Sequence, residues 1–309
     1  MKYHLLILIL FLASYNGMAI QPYSLKLHFK NQTQYHIVLQ SIIGDQLTVL
    51  DSMVKINKDG TYHFREGFPV GMYRLLFTRT SKGKAKDEPR HQLDFIFNKE
   101  DIEFTTEFDA PTESLNVIRS EENRMWFGFK KEETETQKLI KELDIEIDFF
   151  RKHGIIDPAA RNEFENKTKK YNQLQTVRNE LIDQISKDYP GLFASKLIST
   201  YREPVLDGAL TKEERKTIFK KDFFNGIDFS DETLINSLVY TDKVYKYLSS
   251  YYQRGQSPEQ QENEYIIAID QILSHCHQNE KVYGLIKDYL LRYFKRFNYA
   301  KVNSLLSLK

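Results

Sequence analysis

At Ser120 the chain changes its hydrophobic period, and that change limits its possible architectures more than any other feature. Before it, apolar side chains recur at every second position: Leu25, Leu27 and Phe29 alternate with Ser24, Lys26 and His28, and Ile102 to Phe108 repeats the pattern. After it they recur every three to four positions, as in Leu139, Leu143, Ile147 and Phe150. A period of two places one face of a strand on a core, and a period near 3.6 does the same for a helix. One run cannot serve as both. The expected fold class is therefore α+β, with an antiparallel β-domain over residues 20–119, sandwich-like or barrel-like, followed by an all-helical domain over residues 120–309.

Within the β-half, the stretch from Val49 to Phe77 reads as two strand exchanges that close the domain. Asp59-Gly60 is a short-range hairpin signal, because glycine takes positive φ without steric cost. Thr61 to Phe64 resumes as a β-branched and aromatic run. Pro69 lacks a ladder donor, so Gly67 to Gly71 is a second turn and Met72 to Phe77 the third strand of a meander. Tyr35 to Ile43, Leu93 to Phe97 and Ser114 to Ile118 supply further strands. The basic triplet Lys82, Lys84 and Lys86, with Pro89, marks an exposed loop.

Ser120 with Glu121 and Glu122 suits a helix N-terminus, where a side-chain oxygen accepts an orphan amide and acids meet the positive dipole end. Gly154 is a stop, and Asp157-Pro158 restarts the chain as N-cap and first helical residue. The next helix, to about Tyr189, carries Phe164, Tyr171, Leu174, Arg178, Leu181 and Ile185 as a heptad-like stripe interrupted by one Arg. These two segments are expected to form a long antiparallel helical hairpin. Pro190-Gly191 ends it. Shorter helices follow over Leu192 to Tyr201, Thr211 to Lys221 with a capping box, Ser230 to Gln253, Ser257-Pro258 to His277, and a last pair opened by Asn279.

Lys and Arg number 44 against 43 Asp and Glu, so no overall charge draws the chain to nucleic acid. Met1-Lys2, the apolar run from Leu5 to Ala13 and small residues at Gly17 and Ala19 make a signal peptide over residues 1–19, cut between Ala19 and Ile20. The expected location is the periplasm or outside the cell. No later stretch is long and apolar enough to span a bilayer. Cys276 is the sole cysteine, which excludes an internal disulfide and two-cysteine redox catalysis.

Candidate chemistry is sparse. His275-Cys276-His277 holds metal-ligand types, yet consecutive helical residues point about 100° apart, so it reads as a helix end with one buried and two exposed side chains. His28, His36, His63 and His91 fall on strands without a second ligand at a diagnostic spacing. Glu121-Glu122 and Glu132-Glu133 are assigned to helix starts, where the dipole explains them. Tyr240, Tyr245, Tyr247, Tyr251 and Tyr252 form an unusual patch, and the shared face of Tyr240, Val244, Tyr247, Leu248 and Tyr251 makes it packing between helices rather than a binding site. No phosphate loop, nucleophile elbow or zinc-protease helix occurs. No catalytic, cofactor-binding or metal residues are assigned.

The order of signals resembles a known family. Leu50-Asp51-Ser52, Asp59-Gly60-Thr61-Tyr62-His63-Phe64, Gly71-Met72-Tyr73-Arg74-Leu75 and the helical start at Ser120-Glu121-Glu122-Asn123 are similar to the N-terminal β-domain and helical domain of periplasmic thioredoxin-like, peroxiredoxin-related thiol-disulfide oxidoreductases. That family carries a thioredoxin domain with Trp-Cys-x-x-Cys, which this sequence lacks, so none of its catalytic residues transfers. The resemblance implies an accessory module of the envelope. The expectation is an exported, non-catalytic binding or interaction protein with a protein partner and no cofactor. The rivals are a module that positions a thioredoxin-like oxidoreductase, a carbohydrate-binding module, and a hydrolase whose carboxylates only the fold brings together.

Overall fold

The computed structural model describes residues 23–31, 35–51, 60–81, 84–85, 91–154, 157–297 and 299–308. Residues 1–22, with the expected signal segment and the expected cut between Ala19 and Ile20, lie outside that set, as do Lys82, Lys86, Pro89 and Asp59. The strands are β1 (Ser24–Phe29), β2 (Tyr35–Ile43), β3 (Gln46–Asp51), β4 (Thr61–His63), β5 (Gly71–Ser81), β6 (Lys84–Ala85), β7 (His91–Phe97), β8 (Ile102–Thr106) and β9 (Asn116–Arg119). The helices are α1 (Glu121–His153), α2 (Pro158–Asp188), α3 (Phe193–Ser199), α4 (Lys212–Asp222), α5 (Val239–Tyr251), α6 (Pro258–Cys276), α7 (Glu280–Phe294) and α8 (Ala300–Leu308). The chain is mixed α+β, with the change of class at Ser120.

The strands form two open sheets rather than a closed barrel. One runs β4-β1-β8-β9; in the other, β5 lies between β2 and β7, with β3 outside β2 and β6 hooked onto the end of β5. The β-domain is not wholly antiparallel, because β1 and β8 pair in parallel, Leu25 with Ile102 through Phe29 with Thr106. A parallel pair needs a crossover connection, and the entire second sheet supplies one. The expected meander over Val49 to Phe77 is also overturned. β4 leaves its sequence neighbours and pairs with β1, while β5 pairs with β2 and β7. The reason is aromatic packing: Tyr62 and Phe64 are buried, and Phe64 stacks on Phe97 at 4.1 Å between ring centres.

Alternation gives the five-stranded sheet two apolar faces. Leu39, Tyr73, Leu75, Phe95 and Phe97 point inward and share a core with Leu25, Leu27, Ile102 and Phe104 of the other sheet. Ile42, Met72 and Ile96 point outward and join a second core built from the helices, with Trp126, Phe129, Leu197, Leu234 and Tyr240. The helices therefore cover the outer face of the five-stranded sheet. Asn123 fastens this junction. Its Oδ1 accepts from the amide of Ile96 at 2.8 Å and its Nδ2 donates to the same residue's carbonyl at 2.7 Å, completing the edge of β7 as a strand would.

The cap signals place most helix ends. Ser120 caps α1, Asp157 caps α2 with Pro158 behind it, and Thr211 and Ser257 form complete capping boxes. The expected single helix from Ser230 to Gln253 is instead a short 3-10 helix, Glu232–Asn236, and then α5. Ser237 breaks it, with extended backbone and an Oγ that donates to the carbonyl of Leu234 and accepts from the amide of Val239. Leu143 and Ile147 of the α1 stripe are buried, whereas Leu139 is exposed.

Candidate functional site

A groove opens where the outer sheet face meets the helices. The sheet lines it with Met72 of β5 and with Gln92 and Asp94 of β7; the rest of the lining comes from α1, α3, the segment after α3, the start of α5, and Thr112. Its volume is about 240 Å³, small-molecule in scale. Most of the lining is apolar or aromatic, led by Trp126, Phe127, Leu197, Leu238 and Val239. Trp126 is the single tryptophan of the chain.

The charged groups around this groove fall into two classes. Most are paired off. Arg74 and Asp94 sit opposite each other on β5 and β7 and form a bidentate bridge at 2.5 and 2.7 Å, strengthening the charged form of Arg74 through the carboxylate hydrogen bond. Glu133 and Arg178, buried on α1 and α2, do the same at 2.6 and 2.8 Å, and Arg178 Nη2 also donates to the carbonyl of Tyr201 at 2.7 Å. Glu203 takes both Lys243 and Lys246 of α5. That carboxyl lies below its usual range although burial opposes the shift, because two lysines and Arg178 face it. Lys243 is the surplus cation of the cluster, and burial pushes it down to about 8.

Two charges are left over. Lys130 Nζ donates to the hydroxyl of Tyr201 at 3.1 Å and lies 4.9 Å from that ring's centre and 5.6 Å from that of Trp126, with no carboxylate partner among the described residues. The side chain of Asp242 likewise has no hydrogen-bond or ion-pair partner among them. Crowding by the groove walls raises the Asp242 carboxyl; Lys130 opposes this, Asp94 adds to it and Lys243 opposes it again. Asp242 is exposed to solvent, and its unpaired carboxylate in a concave aromatic site makes it a candidate functional position.

Tyr201 is placed by α2 rather than by a regular element. Gln175 bonds both backbone groups of Leu206, at 2.9 and 3.0 Å, Asn179 donates to the carbonyl of Glu203 at 2.7 Å, and Asn172 accepts from the amide of Gly208 at 2.7 Å. Polar side chains of one helix thus take the place of a neighbouring strand. The Arg in the α2 stripe is part of this clamp.

The residues singled out in the sequence lie elsewhere. Glu132 and Glu133 do not begin a helix, since α1 is already continuous from Glu121, and Glu133 is the buried partner of Arg178. Glu121 and Glu122 lie in the first turn of α1, as expected, and Glu122 also meets the start of α3, its carboxylate accepting from the amides of Phe193 and Ala194 at 2.9 and 2.6 Å. Cys276 is fully buried with its thiol pushed up to about 12, while His275 and His277 face outward and His275 packs against Phe224. Tyr240, Tyr247 and Tyr251 are buried in the helical core, whereas Tyr245 and Tyr252 are exposed. His28 lies near Glu103, and His91 lies near Asp109 and stacks on Phe77. Among the described residues, no group of three or more His, Cys, Asp or Glu side chains converges as metal ligands would. No described helix is long and apolar enough to cross a membrane.

Sequence reasoning did not find Lys130, Tyr201 or Asp242. The one available signal was the lone tryptophan one helical turn before Lys130. No protein family, characterised protein or solved structure matches the chain.

Proposed function

We propose that the chain is an exported, non-catalytic binding protein of the bacterial cell envelope, acting in the periplasm or outside the cell, and that the junction groove is its binding site. The observation that carries the reading is the groove itself: an aromatic and apolar lining with one unpaired charge of each sign, built from β5, β7, Thr112, α1, α3 with the segment after it, and the start of α5. The two facing sheets act as a sandwich-type platform, and α1 with α2 as an antiparallel hairpin that fixes Lys130 and Tyr201 over it. Export is supported by Met1-Lys2, the apolar run that follows, and the small residues before Ile20.

A second reading, in which the chain positions a thioredoxin-like oxidoreductase, draws support from the order of a β-domain and then a helical domain, which matches the family it resembles. The test is a photo-crosslinking residue at Gln92, an exposed side chain of the groove lining, compared with one at Val177, exposed on α2. Introduced in the native cell, the Gln92 probe is expected to capture a discrete species that the Val177 probe does not. Equal labelling from both positions, or none from Gln92, would overturn the reading. A captured thioredoxin-like protein would favour the second reading.

A further inference from the structure

Lys130 and Asp242 have counter-charges within sequence reach, and the fold spends every one of them elsewhere. Glu133, three residues after Lys130 on the same helix, belongs to Arg178. Lys246, four residues after Asp242, and Lys243, next to it, both belong to Glu203. Asp94, which shares the groove with both, is held bidentately by Arg74. Lys130 and Asp242 line the same groove and do not form an ion pair with each other. An ammonium and a carboxylate thus stand open on one small cavity without pairing.

We infer that this groove takes a small amphoteric ligand: a molecule carrying one carboxylate and one ammonium on an apolar body, as in a free apolar amino acid or a short peptide with both termini free. The inference rests on the groove being the binding site. Its carboxylate meets Lys130, and the hydroxyl of Tyr201, whose oxygen accepts from Lys130, has its own proton left to donate. Burial raises the Tyr201 hydroxyl, so that proton stays in place at neutral pH. The ligand ammonium meets Asp242. The apolar body lies on Met72, Leu197, Leu238 and Val239 against the face of Trp126. Asp242 is exposed and Lys130 half-buried in the free protein, so both are hydrated there; a ligand with one charge makes one of the two contacts and covers the other group, displacing its water without replacing it, so an amphoteric one is favoured over either half.

Titration calorimetry with leucine and leucyl-leucine tests this, with N-acetyl-leucine and leucine amide as ligands that each lack one charge. Leucine or the dipeptide is expected to bind, and whichever binds tighter identifies the source. Masking either charge should weaken binding by about tenfold or more. Asp242→Asn should abolish the penalty for acetylation alone, and Lys130→Met the penalty for amidation alone. That reciprocal pattern is one that general damage to the fold does not produce, and circular dichroism of each variant verifies folding. Failure of both leucine and the dipeptide to bind overturns the ligand class, while capture from Gln92 would still stand for the groove. Binding that neither variant alters, or equal binding of the masked forms, overturns the inference.

Discussion

The Glu133–Arg178 bridge is the strongest lever on the scaffold behind the groove. Its side chains are 8% and 5% exposed, and Arg178 holds α1, α2 and the Tyr201 carbonyl together. Arg178→Met leaves a buried carboxylate with no cation and a carbonyl with one donor fewer, whereas Glu133→Leu leaves a buried guanidinium. Breaking one side of such a pair costs roughly 3–5 kcal/mol, because the remaining ion keeps its desolvation penalty and loses its compensation. Replacing both removes that penalty, and the remaining loss is the Tyr201 carbonyl, about 1–3 kcal/mol. The double variant should therefore be more stable than the sum of the singles implies, by on the order of 3 kcal/mol or more. Urea unfolding at neutral pH, followed by fluorescence and circular dichroism to check that the two cores melt together, gives the four free energies. Each single should also melt lower by roughly 10 °C. A single substitution costing less than about 1 kcal/mol, or a double equal to the sum of the singles, would refute the reasoning.

Gly71→Ala should cost roughly 1–3 kcal/mol, because an added Cβ would stand 2.5 Å from Asn236 Cβ and 2.7 Å from its carbonyl oxygen where the 3-10 helix docks on β5; a melting curve unchanged from wild type would exclude that close approach. Cys276 should resist a thiol reagent in the native protein at pH 8 and react on unfolding, since the thiol is fully buried and pushed up to about 12; rapid native labelling would contradict this. Lys243, pushed down to about 8 from its ordinary 10.5, binds its proton more weakly in the folded chain than in the unfolded one. Stability should therefore rise with pH across that interval, by on the order of 3 kcal/mol, and Lys243→Met should lack the rise; parallel curves for the two proteins would be the opposing result.

The capping logic was legible because each signal is local. Ser120, Asp157-Pro158, Thr211 with Glu214, and Ser257 with Gln260 place four helix starts by contacts within three residues. The Tyr240, Tyr247 and Tyr251 face was legible for the same reason, since helical spacing reports which side is buried. Sheet order was not. Nothing in the run Thr61–His63 records that its partner is β1 rather than β3 or β5, because the choice rests on Phe64 meeting Phe97. Arg178 stood out in its stripe, but its partner lies 45 residues away and had been assigned to a helix start. The groove is the extreme case: Asp94 of β7, Trp126 and Lys130 of α1, Tyr201 after α3 and Asp242 of α5 converge on it, and periodicity describes only the element on which each one sits.

Native mass spectrometry of the chain recovered from the envelope of its own cells, with and without the paired substitution of Lys130→Met and Asp242→Asn, tests export and the groove most directly. The expected result is a chain beginning at Ile20 that carries a small noncovalent adduct, and the same chain without the adduct once both charges are replaced. A chain that keeps Met1 and stays in the cytoplasm would contradict export, and an adduct that survives the paired substitution would contradict the groove.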